Sequence, residues 1–427
     1  MKVVVIGSGG REHAIALRLS KDKNLDLLYC IPGNPGTEKV STNILLNISD
    51  HQTIIDFCVK ANIDLVVIGP EQPLVEGLSD KLLDKGIKVF GPSSKAAQIE
   101  SSKSFAKKIM VDANVQTAEY KEFSSEQINE AKDYLKGSSY PIVIKADGLA
   151  AGKGVIICTN VDEALSTIKG IFDSKIFGEA GSKVIVEEFL EGEEASVFAI
   201  TDGENFVCLP SAQDHKRIGN NDTGKNTGGM GAYSPAPIVD ENMMKKIEND
   251  IIEPTLKQLK STGNKFVGCL YAGLMITKSG PKVIEYNCRF GDPETQVVLP
   301  LLEGNFLNLL YTAASGNIDI NSVEYSGGTS VCVVAASKGY PDTYKKGLEI
   351  SGLENDDEEI VVFHAGTKKD GEKILTNGGR VLGVTSVLKN FDLVTAQKKA
   401  YQAIEKINFD GIYYRNDIAS KAFKHLK

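Results

Sequence analysis

The sequence predicts an α/β protein in three parts: an N-terminal domain built on a parallel sheet, a central domain of mixed strands and helices, and a strand-rich α+β C-terminal domain. Three observations carry that prediction. The first hundred residues alternate short aliphatic runs with helix-like stretches, the βαβ pattern of a parallel sheet. From about Ser102 the alternation gives way to strand pairs joined by glycine-rich turns. From Gly327 onward strands dominate, closed by one helix. A length of 427 residues fits roughly three domains at ~150 residues each.

Taken in order, Lys2–Ile6 carries four aliphatic residues in a row and reads as a buried strand. Gly7-Ser8-Gly9-Gly10 then turns the chain into a helix over Arg11–Ser20. Leu25–Cys30, Leu65–Ile68 and Val89–Phe90 are the next strands, with Ile54–Lys60 and Leu74–Lys85 helical between them. Ser104–Ala113 is helical. Ile142–Lys145, Val155–Cys158 and Lys183–Glu187 are strands, and a polar, glycine-rich segment follows at Ser211–Tyr233. A long helix over Glu241–Lys260 precedes the strand pair Tyr271–Thr277 and Lys282–Asn287. The tail has strands at Thr329–Ser337, Glu359–Thr367 and Gly379–Ser386 and a helix at Leu393–Lys406. The domain boundaries expected from these shifts are 1–103, 104–326 and 327–427.

Composition narrows the function. A net charge of −8 gives no general attraction for nucleic acid or anionic lipid, so an anionic ligand must be held by local clusters of Lys, Arg and backbone N–H groups. The seven cysteines are scattered without a C-x-x-C pair, which suits free thiols in a reducing compartment rather than zinc. No stretch approaches the ~20 apolar residues of a membrane span. The expected setting is the cytoplasm, with no nucleic-acid or membrane partner.

Several segments carry chemistry. The Gly7–Gly10 turn at a helix start offers N–H groups and a partial positive charge to a phosphate. A dinucleotide fits it less well, because Glu12 stands where the third glycine belongs and no acidic residue ends the second strand. Gly69-Pro70-Glu71 lies at the end of a parallel strand, where Glu71 would take sugar hydroxyls; a plain proline turn fits the same residues. Lys145–Val155 holds two lysines and three glycines. Its spacing is not that of a phosphate-binding strand–loop–helix, since three residues separate Gly148 from Gly152 and Gly154 stands where a Ser or Thr would hold magnesium, and strands flank it on both sides. It reads as a glycine-rich hairpin over phosphates, with Lys145 supplying a point charge. Val184–Ser196 runs a strand into five carboxylates, either an adenosine slot or a charged surface turn. In Lys282–Gln296, alternation places Glu285, Asn287 and Arg289 on one strand face. Two hard oxygen donors beside a guanidinium suit Mg²⁺ bridging phosphates, with Arg289 gripping a transferred phosphoryl group. Gln213–Tyr233 is either an anion-binding nest or a disordered loop, and His215 in it is no general base by itself.

Together these segments resemble the ATP-grasp superfamily and, within it, the phosphoribosylamine–glycine ligase family, in order over nearly the whole chain. Arg289-Phe-Gly-Asp-Pro-Glu-Thr-Gln296 is the most specific piece; Gly7–Ala14, Gly69–Leu74, Lys145–Val155, Gln213–Lys216 and Asn226–Tyr233 also match. The resemblance implies an ATP-grasp central domain with a mobile small lobe at about 121–191. It implies ATP as co-substrate, Mg²⁺ or Mn²⁺, and glycine and 5-phosphoribosylamine joined through glycyl phosphate in purine biosynthesis. On the same ground Glu285 and Asn287 would hold metal, although many relatives use two acidic ligands. Lys103, Lys145, Gly152, Lys153, Gly154, Glu187, Leu190 and Glu194 would contact ATP. Gly9, Gly10, Arg11, Gly69, Pro70 and Glu71 would line the ribosyl substrate, and Arg289, Asp292, Glu294, Asp214 and Lys216 would surround the reacting groups. A monomer is expected.

Overall fold

The computed structural model describes residues 1–149, 154–173 and 181–426. The N-terminal sheet contains β1 (Lys2–Gly7), β2 (Leu27–Pro32), β3 (Thr42–Asn43), β4 (Leu65–Ile68) and β5 (Lys88–Phe90) in the order β3-β2-β1-β4-β5. All the pairings are parallel. Val3, Val4, Val5 and Ile6 are fully buried, as a strand covered on both faces requires. The strand order reverses between β1 and β4. The turns leaving those two strands, Gly7–Gly10 and Gly69–Glu71, therefore stand side by side at the crevice where open α/β sheets take ligands.

The small antiparallel sheet of β6 (Tyr120–Ser124), β7 (Ile142–Ala146), β8 (Val155–Cys158) and β9 (Lys183–Glu188) has the order β6-β9-β7-β8. Helices Ile128–Lys136 and Val161–Phe172 pack on it around a core of its own, which includes Phe123, Leu135, Ile144, Ile168 and Val186. Residues 189–192 carry the chain out of this unit into β10 (Glu193–Thr201), which pairs with β11 (Phe206–Cys208).

The Ser211–Tyr233 segment is ordered. It supplies β12 (Gln213–Asp214), a hairpin of β13 (Arg217–Gly219) and β14 (Thr223–Asn226), and β15 (Gly231–Ser234). Burial of Met230, Ala232 and Tyr233 fixes it, so the disordered-loop alternative falls. β16 (Gly268–Thr277) and β17 (Gly280–Asn287) complete the central sheet, ordered β11-β10-β16-β17. A two-stranded ribbon, β18 (Leu302–Gly304) and β19 (Val323–Tyr325), precedes the C-terminal strands. β20 (Thr329–Ser337), β21 (Ile360–His364), the hairpin of β22 (Thr367–Asp370) and β23 (Lys373–Thr376), β24 (Arg380–Leu388) and β25 (Ile412–Tyr413) follow. The C-terminal sheet runs β12-β15-β20-β24-β21, with β25 on β20, and thus borrows two strands from the 213–234 segment.

Three predicted elements differ. Leu74–Lys85 is two short helices, Glu71–Val75 and Leu78–Leu83, because Gly77 adopts a left-handed φ of +81° between them. The long helix contains a π turn at Glu248–Ile252, just ahead of Pro254, which lacks the N–H a regular turn needs. The strand predicted over Glu359–Thr367 ends at His364 and restarts at Thr367.

Candidate active site

At the end of β1, Glu12 folds back into the glycine turn. Its carboxylate accepts the Gly9 N–H at 2.6 Å and pairs with Arg11 Nε at 2.5 Å. A Cβ on Gly7 would stand 2.4 Å from Glu12 Cγ, and one on Gly69 only 2.1 Å from Glu12 Oε1. The glycines thus make room for a carboxylate of the same chain, which takes the N–H that a bound anion would need. Gly10 lies against Gln296, and Arg11 also donates to the Phe290 carbonyl at 3.2 Å.

The glycine hairpin between β7 and β8 meets the central sheet through Lys145. The register places Gly273 opposite Glu285 but Leu274 opposite Val283, a bulge that takes Ile284 out of the ladder. Lys145 Nζ donates to the Ile284 carbonyl at 3.0 Å and to Glu187 Oε2 at 2.9 Å. Lys107 approaches the other Glu187 oxygen at 3.2 Å, so Glu187 lies buried between two lysines. Lys103, just after the Ser102 N-cap, donates to the Gly148 carbonyl at 3.0 Å. The Ala146 N–H closes the hairpin base on the Gly154 carbonyl. Gly152 and Lys153 lie outside the described residues. Leu190, half-buried, belongs to the crossing between β9 and β10.

Lys216 Nζ stands 2.8 Å from Glu194 and 3.9 Å from Glu285. Burial would push the Glu285 carboxyl up; Lys216, Lys145, Lys103 and Arg289 overcome it and hold the group below the usual carboxylate range. Four cations converging on one carboxylate provide the surroundings a polyanion needs. Glu285 and Asn287, two apart at the end of β17, offer two oxygen donors there, a set that fits Mg²⁺ completing its shell with phosphate oxygens and water.

β17 ends at Asn287, so Arg289 lies beyond the ladder. Its Nη2 is 2.9 Å from Glu100 and its Nε 3.3 Å from Glu71. Burial would lower the guanidinium's affinity for its proton; Glu100 and then Glu71 reverse this and raise it. Asp292 pairs with Arg380 at 3.1 Å and accepts from Gln296 at 2.7 Å. Glu294 accepts from Tyr271 at 2.9 Å and from Ser196 at 3.3 Å. Asp214 is buried. Its carboxyl is pushed up to about 7, chiefly by desolvation, with Lys216 opposing and Glu294 and Glu194 adding to the rise. His215 is fully buried and held at about 3 by burial and the nearby Lys421 and Arg415, while its Nε2 accepts the Ala419 N–H.

Ion pairs and charge interactions link many of the described candidate residues to one another. Lys103, Lys145, Glu187, Glu194, Lys216 and Glu285 lie on the side of the small sheet. Arg11, Glu71 and Arg289 lie toward the N-terminal sheet, while Asp292 meets Arg380 of the C-terminal sheet and Glu294 meets Ser196 and Tyr271 of the central one. Glu100, Lys107, Ser196, Tyr271 and Arg380 also touch these groups, and sequence reasoning did not single them out. Ser196 and Tyr271 sit in strands whose apolar neighbours read as core, and the partners of Glu100 and Arg380 are remote in sequence.

Family models match most of this chain. Residues 1–100, 101–295 and 330–421 match, respectively, the N domain, the ATP-grasp (A) domain and the C domain of phosphoribosylglycinamide synthetase. The chain belongs to the phosphoribosylamine–glycine ligase family. Phosphoribosylamine–glycine ligases of Caldanaerobacter subterraneus and Agrobacterium fabrum are each 47% identical to it, over 98% and 100% of this chain and 100% of each relative. The solved phosphoribosylamine–glycine ligase of Thermotoga maritima superposes with a TM-score of 0.85 at 36% identity, over 98% of this chain and all of that one. The biotin carboxylase domain of Hydrogenobacter thermophilus 2-oxoglutarate carboxylase, at 17% identity and a TM-score of 0.74, shares the fold. As a member of the phosphoribosylamine–glycine ligase family the chain is an ATP-dependent ligase of purine biosynthesis that uses a divalent metal. None of its described helices is long and apolar enough to cross a membrane.

Proposed function

We propose that the chain joins glycine to 5-phosphoribosylamine, converting ATP to ADP and phosphate and yielding glycinamide ribonucleotide by way of glycyl phosphate. The observation that carries this reading is the meeting of Lys145 with the bulged strand bearing Glu285, at 3.0 Å from the Ile284 carbonyl. A carboxylate is a poor electrophile. Phosphorylation turns one of its oxygens into a leaving group, and the amine then displaces phosphate, so the chain's task is positioning and charge stabilisation.

In this reading Lys103, Lys145, Lys216 and the Gly148–Gly154 hairpin hold the triphosphate, while the crossing at Leu190, with Glu187 and Glu194 beside it, lines the adenosine. Glu285 and Asn287 would hold Mg²⁺, or Mn²⁺ in its place, which when bound neutralises phosphate charge. Arg289 grips the phosphoryl group in transfer, and Asp292 and Glu294 orient the glycine ammonium. Asp214 and Lys216 border the acyl phosphate. Gly9–Arg11 and Gly69–Glu71 form the wall against which the ribosyl substrate lies, backed by Glu12. The separate core of the small sheet supports its moving as a lobe, over about 121–191, that closes on ATP and excludes water. We place the domain limits at 1–103, 104–326 and 327–427 and expect a cytoplasmic monomer.

The test is a phosphate-release assay with ATP, glycine, phosphoribosylamine and Mg²⁺, each omitted in turn. Turnover should require all four. Turnover that persists without glycine would point to a different carboxylate substrate.

A further inference from the structure

We infer that Glu100 is the positioning residue that fixes the Arg289 guanidinium for phosphoryl transfer, an inference that rests on Arg289 acting in that step. The two carboxylates on Arg289 are not equivalent. Glu71 touches Nε at 3.3 Å and its side chain is 34% exposed, whereas Glu100 meets Nη2 at 2.9 Å and is 6% exposed. The second Glu100 oxygen accepts the Cys288 N–H at 2.7 Å. One carboxylate thus holds both the backbone just before Arg289 and the far edge of its guanidinium.

That two-point hold removes the rotational freedom a long arginine side chain would otherwise lose on binding. The grip comes from outside the central sheet. Glu100 belongs to the short Gln98–Ser101 helix, ahead of the Ser102 cap and Lys103. One turn of chain therefore sets Arg289 through Glu100 and places Lys103 beside Gly148. Glu71, more exposed and more distant, is the partner an anionic substrate can displace. Glu100 is the one that stays.

The experiment compares Glu100→Gln, Glu100→Asp, Arg289→Ala and the double variant Glu100→Gln/Arg289→Ala, reading kcat, the KM of each substrate and thermal stability. Glutamine keeps an acceptor for the Cys288 N–H but removes the charge. It should lower kcat about 10–100-fold, the usual effect of losing a group that orients a reacting side chain, with the KM of ATP unchanged. Aspartate keeps the charge on a shorter stem and should recover part of the rate. The double variant should be no slower than Arg289→Ala alone, because Glu100 acts only through Arg289. A Glu100→Gln enzyme with wild-type kcat, beside an impaired Arg289→Ala, overturns the inference alone. So does a double variant whose losses multiply. Wild-type turnover in Arg289→Ala removes the reading on which the inference rests.

Discussion

Replacing Glu187 by Gln should loosen the small sheet by a measurable amount. Glu187 is buried and joins Lys145 at 2.9 Å with Lys107 at 3.2 Å. The isosteric amide keeps the shape but leaves two buried ammonium groups without their anion. Breaking a buried pair costs about 3–5 kcal/mol. The lower end applies, because Ile284 still accepts from Lys145, and Thr117 and Ala118 still accept from Lys107. About 3 kcal/mol is a factor of roughly 10² in an opening equilibrium. Hydrogen exchange at the amides of β7 and β9 reports that opening directly and should be about that much faster in the variant.

The pH dependence has a definite sign. Burial, with Glu187 opposing, pushes Lys107 down from 10.5 to about 8, so the unfolded chain binds its proton more tightly and stability rises with pH between those values. Without Glu187 the folded-state value falls further, that window opens at lower pH, and the variant's deficit shrinks as pH rises. Unchanged exchange at neutral pH, or a deficit that grows with pH, would refute this account of the Lys107–Glu187–Lys145 cluster.

Three further outcomes follow from the same geometry. Glu285→Gln should shift the magnesium titration of activity about 10-fold or more to higher concentration, since a neutral oxygen replaces the charged donor; an unaltered titration would contradict Glu285 as a ligand. Asp214, raised from 3.8 to about 7, contributes stability that is full below 3.8 and lost as pH rises through 7. Asp214→Asn should therefore gain in Tm relative to the wild type between pH 5 and 8, and a pH-independent difference would argue against a buried, proton-holding Asp214. Gly69→Ala drives a methyl group into Glu12 and should destabilise by about 1–3 kcal/mol, checked by chemical denaturation followed by circular dichroism; an unchanged midpoint would show that Glu12 does not fill the turn.

The N-terminal sheet was legible because Val3–Ile6 and Leu65–Ile68 are unbroken aliphatic runs, which only a strand buried on both faces calls for. Breaks within helices were not: a glycine inside an otherwise periodic stretch can be tolerated or can end the helix, and the left-handed φ of Gly77 decides the case. Local patterns also read Ser211–Tyr233 as polar loop, although β12 and β15 join a sheet whose other strands begin at Thr329. The same division runs through the site. Glycines beside lysines, and an alternating Glu-x-Asn, announce phosphate chemistry locally. Glu100 gives no such signal, because its meaning is a contact with a residue 189 positions away. The Glu12 substitution in the first glycine turn was visible as a missing glycine. That the carboxylate would itself occupy the turn became visible only when β1 and β4 were set side by side.

The central claim is that Lys145 and the Glu285 strand enclose one nucleotide so that its terminal phosphoryl group passes to a carboxylate. Turnover with glycine labelled by ¹⁸O in both carboxyl oxygens tests it most directly. An acyl phosphate intermediate delivers one labelled oxygen from each glycine into the released phosphate, visible as an isotope shift in its ³¹P spectrum. Unlabelled phosphate from turnover in which every added component is required would contradict the account.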